Sequence, residues 1–442
     1  MSVNSRRFVD VNIRKATKSS LTAIRDTAVL FAKTAIDSTN VSLGKKYADG
    51  NTSGNPTGDE ITDLTFTGMS VSTKNGKTIC VLSSNNGYSF TTTNVTYTGT
   101  YFIEIVLASA TASEVSNAAM LMLYEYARMF FDNAGVKLRV ITEDFTYASI
   151  NALPNEDILV AKLGAITSSD VSVITTYNAA LDPETNGDGS TNAYGPSKKL
   201  FFTAVAPDAG RKTVTVTGLS GVDNLAVKCG LPGVEMTMCA YLTKINPYGS
   251  NTVKDYAFTI ESIDGLGVAD VDDATDNVYV SDELVGDCQS KDVNIDIVLS
   301  NQIRNVWGNT ITADSLVNAY VLIVLQQTVE ESLINVLSSK LTGTSGTAAI
   351  YSAIVDELDK YVNSGFLAAG NWDGTAWTET YNSVDYSIAS ANERLAKGYK
   401  IVVIPFIAMT QADAAAHKAP PVYIGLTNAY GIRKITIEGK VM

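Results

Sequence analysis

The sequence predicts a multidomain protein of mixed α/β and α+β class, with mixed sheets, packed helices and extended strand-forming arms at the N- and C-termini. Three observations carry this. Strand, helix and strand follow one another between residues 101 and 141. A long helical stretch and a second helix, separated by Gly343 and Gly346, fill residues 313–363. Both chain ends alternate apolar and polar residues, the pattern of a half-buried strand.

The elements follow in order. Val9-Asp10-Val11-Asn12-Ile13 alternates without a fault, and the polar run Arg14 to Ser20 after it reads as a tether. Asp26 to Thr34 is a short buried strand. Residues 46–100 are dense in Gly, Asn, Ser and Thr, with β-type pieces such as Thr78 to Leu82. Tyr101 to Leu107 is a strand. Thr111 and Glu114 form a capping box for a helix through Met120, Leu123, Tyr124, Ala127 and Phe131. Asn133-Ala134-Gly135 stops it, and strand Val136 to Ile141 follows.

Further on, a helix covers Asp170 to Leu181, a strand Leu200 to Val205, and a hairpin strand Thr213 to Thr217. A helix at Val234 to Thr243 precedes a strand at Tyr256 to Ile260. Residues 264–283 read as an acidic loop. Strand Val293 to Leu299 leads into helices at 313–338 and 347–363, an antiparallel pair. After the loop Gly370 to Trp377 come strand Tyr399 to Phe406 and the terminal strand Ile435 to Val441. The expected organisation is an arm and linker at 1–20, a body at 21–290 that is β-rich near 46–100, and a C-terminal domain at 291–442. Neither terminal strand has a nearby partner in sequence, and an unpaired strand edge attracts another chain.

Composition narrows the classes. The chain has 442 residues, 45% hydrophobic and 18% charged, ordinary for a globular protein. The apolar run Ala319 to Leu325 is too short to span a bilayer, and the polar residues after Arg6 and Arg7 do not make a signal peptide. Direct membrane insertion and export are not expected. Cys80, Cys229, Cys239 and Cys288 are scattered, which points to reduced, buried thiols in a protein folded in the cytoplasm. A net charge of −13 argues against nucleic acid as a partner. Residues 1–19 nevertheless carry five cations against one anion, and residues 395–442 six against two. Two basic ends on an acidic body favour end-to-body contacts between copies, or contact with another acidic partner.

Chemistry is sparse. The single histidine, His417, lies in a Pro-flanked loop without the third group that holds a catalytic base. Asp182 to Asp188 partly resembles a calcium loop, but Ala193 stands where the bidentate glutamate belongs. Asp270, Asp272, Asp273 and Asp276 lack the glycine of such a loop. Gly218-Leu219-Ser220-Gly221 and Gly343-Thr344-Ser345-Gly346 are one residue short of a nucleophile elbow, and Gly265-Leu266-Gly267 lacks a third dinucleotide-binding glycine. No catalytic residue, cofactor or metal is expected.

Three stretches carry a resemblance. They are Tyr126 to Gly135 with the following Val136 to Ile141, then Cys239 to Tyr256, and finally the Lys-bearing strand to Pro405 with Ala429-Tyr430-Gly431-Ile432-Arg433-Lys434-Ile435-Thr436-Ile437. In this order they resemble the contractile tail sheath proteins of bacteriophages, as a divergent subfamily. The resemblance implies a homo-oligomer of stacked six-fold rings, helically arranged around a tail tube protein, with baseplate and tail terminator proteins as further partners. It implies a virion tail component assembled in the bacterial host cytoplasm, with the C-terminal domain inside against the tube. It implies that terminal strands enter a neighbour's C-terminal domain. Phe8, Val9, Val11 and Ile13 would form one arm, and Ile435, Ile437 and Val441 the other. Lys418, Arg433, Lys434 and Lys440 would be basic residues facing the tube or a neighbour.

Three other readings compete. Trp372, Trp377 and Thr- and Tyr-rich loops would suit a carbohydrate-binding or adhesive protein. Another virion tail subunit is a nearer rival, and a metal-independent hydrolase the most distant.

Overall fold

A computed structural model describes residues 13–15, 26–32, 68–74, 77–83, 88–91, 96–99 and 102–107 and most of 126–427, with 181–197 and 263–280 outside that description. It divides the chain into two compact units, one of Arg25–Lys244 with Phe258–Ala313, the other of Ser5–Ile24, Ile245–Ala257 and Asp314–Met442. The division falls at Asp314 and not near 290, because the strands after 290 complete the sheet of the first unit.

Strands and helices are numbered along the chain, with β1 (Ile13–Lys15) in the second unit. The first unit is built on a ten-stranded sheet. It uses β2 (Thr27–Phe31), β3 (Gly68–Lys74), β4 (Lys77–Ser83) and β7 (Phe102–Leu107). It continues with β8 (Lys137–Ile141), β9 (Leu159–Lys162), β10 (Leu200–Val205), β11 (Leu225–Cys229), β12 (Asn294–Leu299) and β13 (Gln302–Asn305). Strands β5 (Tyr88–Thr91) and β6 (Thr96–Gly99) form a separate hairpin. The order is β13-β12-β11-β10-β9-β2-β8-β7-β4-β3, parallel from β12 to β7 and antiparallel at both edges.

The parallel centre explains the sequence there. Strands covered on both faces need continuous apolar runs rather than alternation, and Thr27-Ala28-Val29-Leu30-Phe31 is buried throughout. The helices of this unit are α1 (Tyr147–Asn151), α2 (Ser168–Ala179), α3 (Met236–Thr243) and α4 (Asp282–Ser290). Helix α2 opens with a full capping box between Thr167 and Asp170. One apolar cluster joins Phe31, Phe145, Ile174, Tyr177, Phe201 and Val227, with edge-to-face rings at Phe31–Phe145 and Tyr177–Phe201.

The turn after residue 132 works differently from the expected glycine stop. Ala134 takes the positive φ of 60°, and its N–H bonds the Phe131 carbonyl. Gly135 instead gives room: a Cβ there would lie 2.4 Å from the Phe130 ring. Asn133 secures the turn by exchanging side-chain bonds with both the N–H and the carbonyl of Ser262.

Two expected strands are corrected. Thr213 to Thr217 is no hairpin strand; Val214 makes one bridge to Pro207. Its N–H bonds the Asp287 carboxylate and its carbonyl accepts from Lys291, so side chains of α4 and its cap replace a ladder. Tyr256 to Ile260 is no strand either, because Phe258 adopts a φ of 61° and only Ile260 bridges, to Arg304. Strands β9 and β11 and helix α4 had no counterpart in the sequence reading. Helix α4 begins where that reading placed an acidic loop: Ser281 caps it, and Asp282 and Glu283 stand in its first turn.

The second unit has a helix pair, α5 (Leu316–Ser338) and α6 (Gly343–Asn363). Leu316, Val317, Tyr320, Val321, Val324 and Leu325 are all buried. A helix apolar on every side is a core helix. The Thr328 and Tyr361 hydroxyls meet at 3.1 Å between the two helices. The β elements are β14 (Gly370–Asn371), β15 (Trp377–Tyr381), β16 (Val384–Ala389), β17 (Arg394–Leu395), β18 (Tyr399–Val403) and β19 (Val422–Leu426). Phe406, expected to finish a strand, instead opens a 3-10 turn (Phe406–Ala408), and a short helix α7 (Gln411–Ala415) follows.

Candidate functional site: an accepting strand in the second unit

Strand β19 is the centre of a three-stranded sheet ordered β1-β19-β18. On one side β18 pairs with it antiparallel, Tyr399 opposite Leu426 through Val403 opposite Val422. On the other side β1 pairs with it parallel, with Ile13, Arg14 and Lys15 opposite Ile424, Gly425 and Leu426. The polypeptide that fills this second edge comes from the other end of the chain. This corrects the expectation that the N-terminal arm has no partner at home: Ile13 pairs with β19 of its own chain. The alternation Val422-Tyr423-Ile424-Gly425-Leu426 is the sequence signal of the acceptor.

The acceptor is held rigidly. Ile424 and Leu426 are 2% and 6% exposed. Trp372, Trp377, Ile388, Ala389 and Leu395 form a buried cluster against which Tyr423 of β19 and Val402 of β18 pack. The two indoles stack at 5.9 Å, and Tyr423 meets Trp377 edge-on. Their polar edges are satisfied: Trp372 Nε1 donates to the Thr375 carbonyl and Trp377 Nε1 to Glu379. These rings are core, not an exposed sugar platform. Just past β19, Thr427 N–H donates to the Gly398 carbonyl at 2.7 Å, and its hydroxyl donates to the Ala368 carbonyl at 2.8 Å.

Charged groups brace the same sheet. Tyr399 donates to Asp359 at 2.6 Å and Lys397 lies 3.1 Å away, so the Asp359 carboxyl is held below its ordinary range, chiefly by the tyrosine. Lys400 bonds Glu393 at 2.6 Å and lowers that carboxyl likewise.

Of the residues expected to form the arms or to face the tube or a neighbour, Ile13 alone lies in a described element. Phe8, Val9, Val11, Ile435, Ile437 and Val441, the basic Lys418, Arg433, Lys434 and Lys440, and His417 lie outside the described residues. So do the Asp182 and Asp270 loops. Among the described residues no cluster of His, Cys, Asp or Glu could hold a metal, and no helix is long and apolar enough to cross a membrane.

One polar cluster lies in the first unit. Lys228 on β11 reaches Glu261 at 2.5 Å, Asp296 on β12 at 2.9 Å and the Thr237 hydroxyl at 2.7 Å. All four residues are buried. A cluster sealed from solvent inside a sheet serves as an internal brace.

Residues 316–441 match the family model described as "E217 tail sheath protein gp31-like, C-terminal domain". No curated protein matches the chain by sequence. Among solved structures, a chain of the anti-feeding prophage baseplate is 13% identical, covering 100% of this chain and 99% of its own, with a TM-score of 0.48. A chain of the sheath complex of an extracellular contractile injection system, PVC, in the contracted state is 15% identical over 72% of this chain and 79% of its own, with a TM-score of 0.43. The sheath tail protein from Desulfitobacterium hafniense is 9% identical over 84% of this chain and 93% of its own, with a TM-score of 0.33. The matched C-terminal segment contains both core helices and the accepting strand, and by that match the chain resembles the structural sheath subunits of contractile tails.

Proposed function

We propose that this protein is the repeating subunit of a contractile tail sheath, one that polymerises helically as stacked six-fold rings around a tail tube. On contraction it drives the tube through the host cell envelope. The observation that carries the reading is the edge of β19, which takes up a strand from the far end of a chain. Free in solution, a chain closes that edge with its own β1. In the assembly the same register is filled by a neighbour's arm, an exchange that keeps every contact and changes only which copy supplies it. Each backbone bond that an arm adds to such a ladder contributes about 1 kcal/mol net.

Arms that stay docked while the bodies trade one set of contacts for another make a bistable array, with the driving energy stored at assembly. The chemistry needs no nucleotide and no active site. The tube protein, the baseplate and the tail terminator are the remaining partners, and the virion tail is the location. The burial of Trp372 and Trp377 removes the feature that favoured an adhesive role.

Two measurements test this. Deleting residues 1–15 should abolish tubes in negative-stain micrographs of concentrated protein. In a chain carrying Ile13→Cys with Ile424→Cys, oxidation should give covalent multimers from tubes and internally linked monomers from dilute protein. Normal tubes from the deletion, or monomeric links only in the tubes, would overturn the reading.

A further inference from the structure

We propose that Lys228 and Asp296 are a self-modification site, at which the lysine amine condenses with the carboxyl, helped by Glu261, and ties β11 to β12 through an amide bond. Neighbouring parallel strands bring the pair together. Lys228 stands opposite Asn294 in the ladder, and Asp296, two residues on, projects from the same face. Lys228 Nζ lies 2.9 Å from Asp296 Oδ1, so the carboxyl carbon is one bond from a contacting atom. Two further groups fix the nitrogen. Glu261 reaches it at 2.5 Å, and the Thr237 hydroxyl accepts from it at 2.7 Å while donating to the Val234 carbonyl. Glu261 is itself tied to β13, its N–H donating to the Ile303 carbonyl. All four residues are buried, Lys228 and Asp296 fully.

The arrangement meets each requirement of the reaction. Condensation needs a neutral amine, a protonated carboxyl and a group that moves protons between them. Burial, and then the Glu261 charge, push the Asp296 carboxyl up to about 8, which keeps it protonated at neutral pH. Glu261 takes a proton from the ammonium, and the freed Nζ attacks Cγ of Asp296. The tetrahedral adduct passes a second nitrogen proton, by way of Glu261, to the leaving hydroxyl and collapses to the amide and one water. Nothing else is consumed: of the two protons that Nζ gives up, one stays on Glu261 and one leaves in the water. Fixed contact replaces chance encounter, and a site closed to bulk water protects the product from hydrolysis. Lys228 enters as an ammonium, so the step is slow. The chain folds with the ion pair, and the amide accumulates afterwards.

The test keeps the folded full chain warm, below its Tm, for several days and follows its intact mass. The expected result is a species lighter by one water, whose tryptic digest contains a branched peptide joining Lys228 to Asp296. Its Tm should be several degrees higher, because the link restrains the unfolded chain. Chain held in urea should form none, since the contact exists only in the fold. Lys228→Arg should form no such link, and Glu261→Gln should slow its formation at least tenfold. The parent and urea samples decide the matter even if those variants fold poorly. An unchanged mass, a water lost only as a succinimide at Asp264-Gly265 or another Asp-Gly pair, equal linkage in urea, or an undiminished rate in folded Glu261→Gln would overturn the proposal. The site uses no residue of the strand exchange, so either outcome leaves the assembly reading untouched.

Discussion

Lys228 interrupts an otherwise apolar strand, and its surroundings show why a cation there is tolerated. Two carboxyl groups, Glu261 and Asp296, share its ammonium in a site closed to water. With all three ionised the cluster would carry a net negative charge in a low-dielectric interior. Burial and the Glu261 charge raise the Asp296 carboxyl to about 8, against the pull of Lys228. The folded state thus binds a proton that the unfolded chain releases near the ordinary carboxylate range. Stability from this group is complete below the unfolded value and is lost as pH rises towards about 8. Glu235, raised to about 7 mainly by burial, acts in the same direction. Asp296→Asn should therefore flatten the dependence: relative to the parent, it should gain on the order of 4 kcal/mol between pH 5 and pH 9 in urea unfolding. A parallel pH profile for variant and parent would reject this account. Lys228→Met, which leaves two buried carboxyls without their cation, should cost about 3–5 kcal/mol by the same assay.

Among elements, β19 depends on the turn that precedes β18. Gly398 has a φ of +83°, its carbonyl accepts from Thr427, and a Cβ on it would lie 2.7 Å from the backbone of Ala368. Backbone cannot step aside as a side chain can, so Gly398→Ala should push the turn from the end of β19 and destabilise the second unit by roughly 2 kcal/mol. Chemical denaturation followed by Trp fluorescence, from the indoles of the adjoining cluster, would read it; a change under about 0.5 kcal/mol would show that the turn can relax. The same element marks the limit of what pattern reveals. Helices α5 and α6 were legible, because long apolar runs between glycines have few alternatives. The strands β2, β10 and β12 were legible as well. The strand Leu225 to Cys229 was not, because Lys228 breaks its apolar run and its partners Glu261 and Asp296 are remote in sequence. Thr213 to Thr217 misled for the opposite reason: it has strand composition, but its backbone is claimed by Asp287 and Lys291. At the candidate site, the alternation of Val9 to Ile13 reaches the observed β1 only at Ile13, because Arg14 and Lys15, expected as tether, are in the strand, and the acceptor β19 was hidden by its glycine and by the prolines before it.

At the scale of the whole chain, the proposed assembly divides its work between charge, which sets rate, and hydrogen bonding, which sets persistence. The basic ends and the acidic remainder, within a net charge of −13, give copies an attraction that acts before contact. Such steering is screened once the Debye length falls from about 14 Å at 50 mM salt to about 4 Å at 500 mM. The strand ladder acts only at contact, is uncharged, and is nearly indifferent to salt. Assembly from dilute protein should then slow at least several-fold over that salt range, by light scattering, because the screened term governs encounter. Tubes already formed should survive transfer to the higher salt, because a register such as Ile13 to Lys15 on Ile424 to Leu426 supplies persistence through backbone bonds. Equal assembly rates at both concentrations would remove steering from the mechanism. Dissolution of finished tubes in high salt would instead show that charge, and not the shared ladder, holds the copies together.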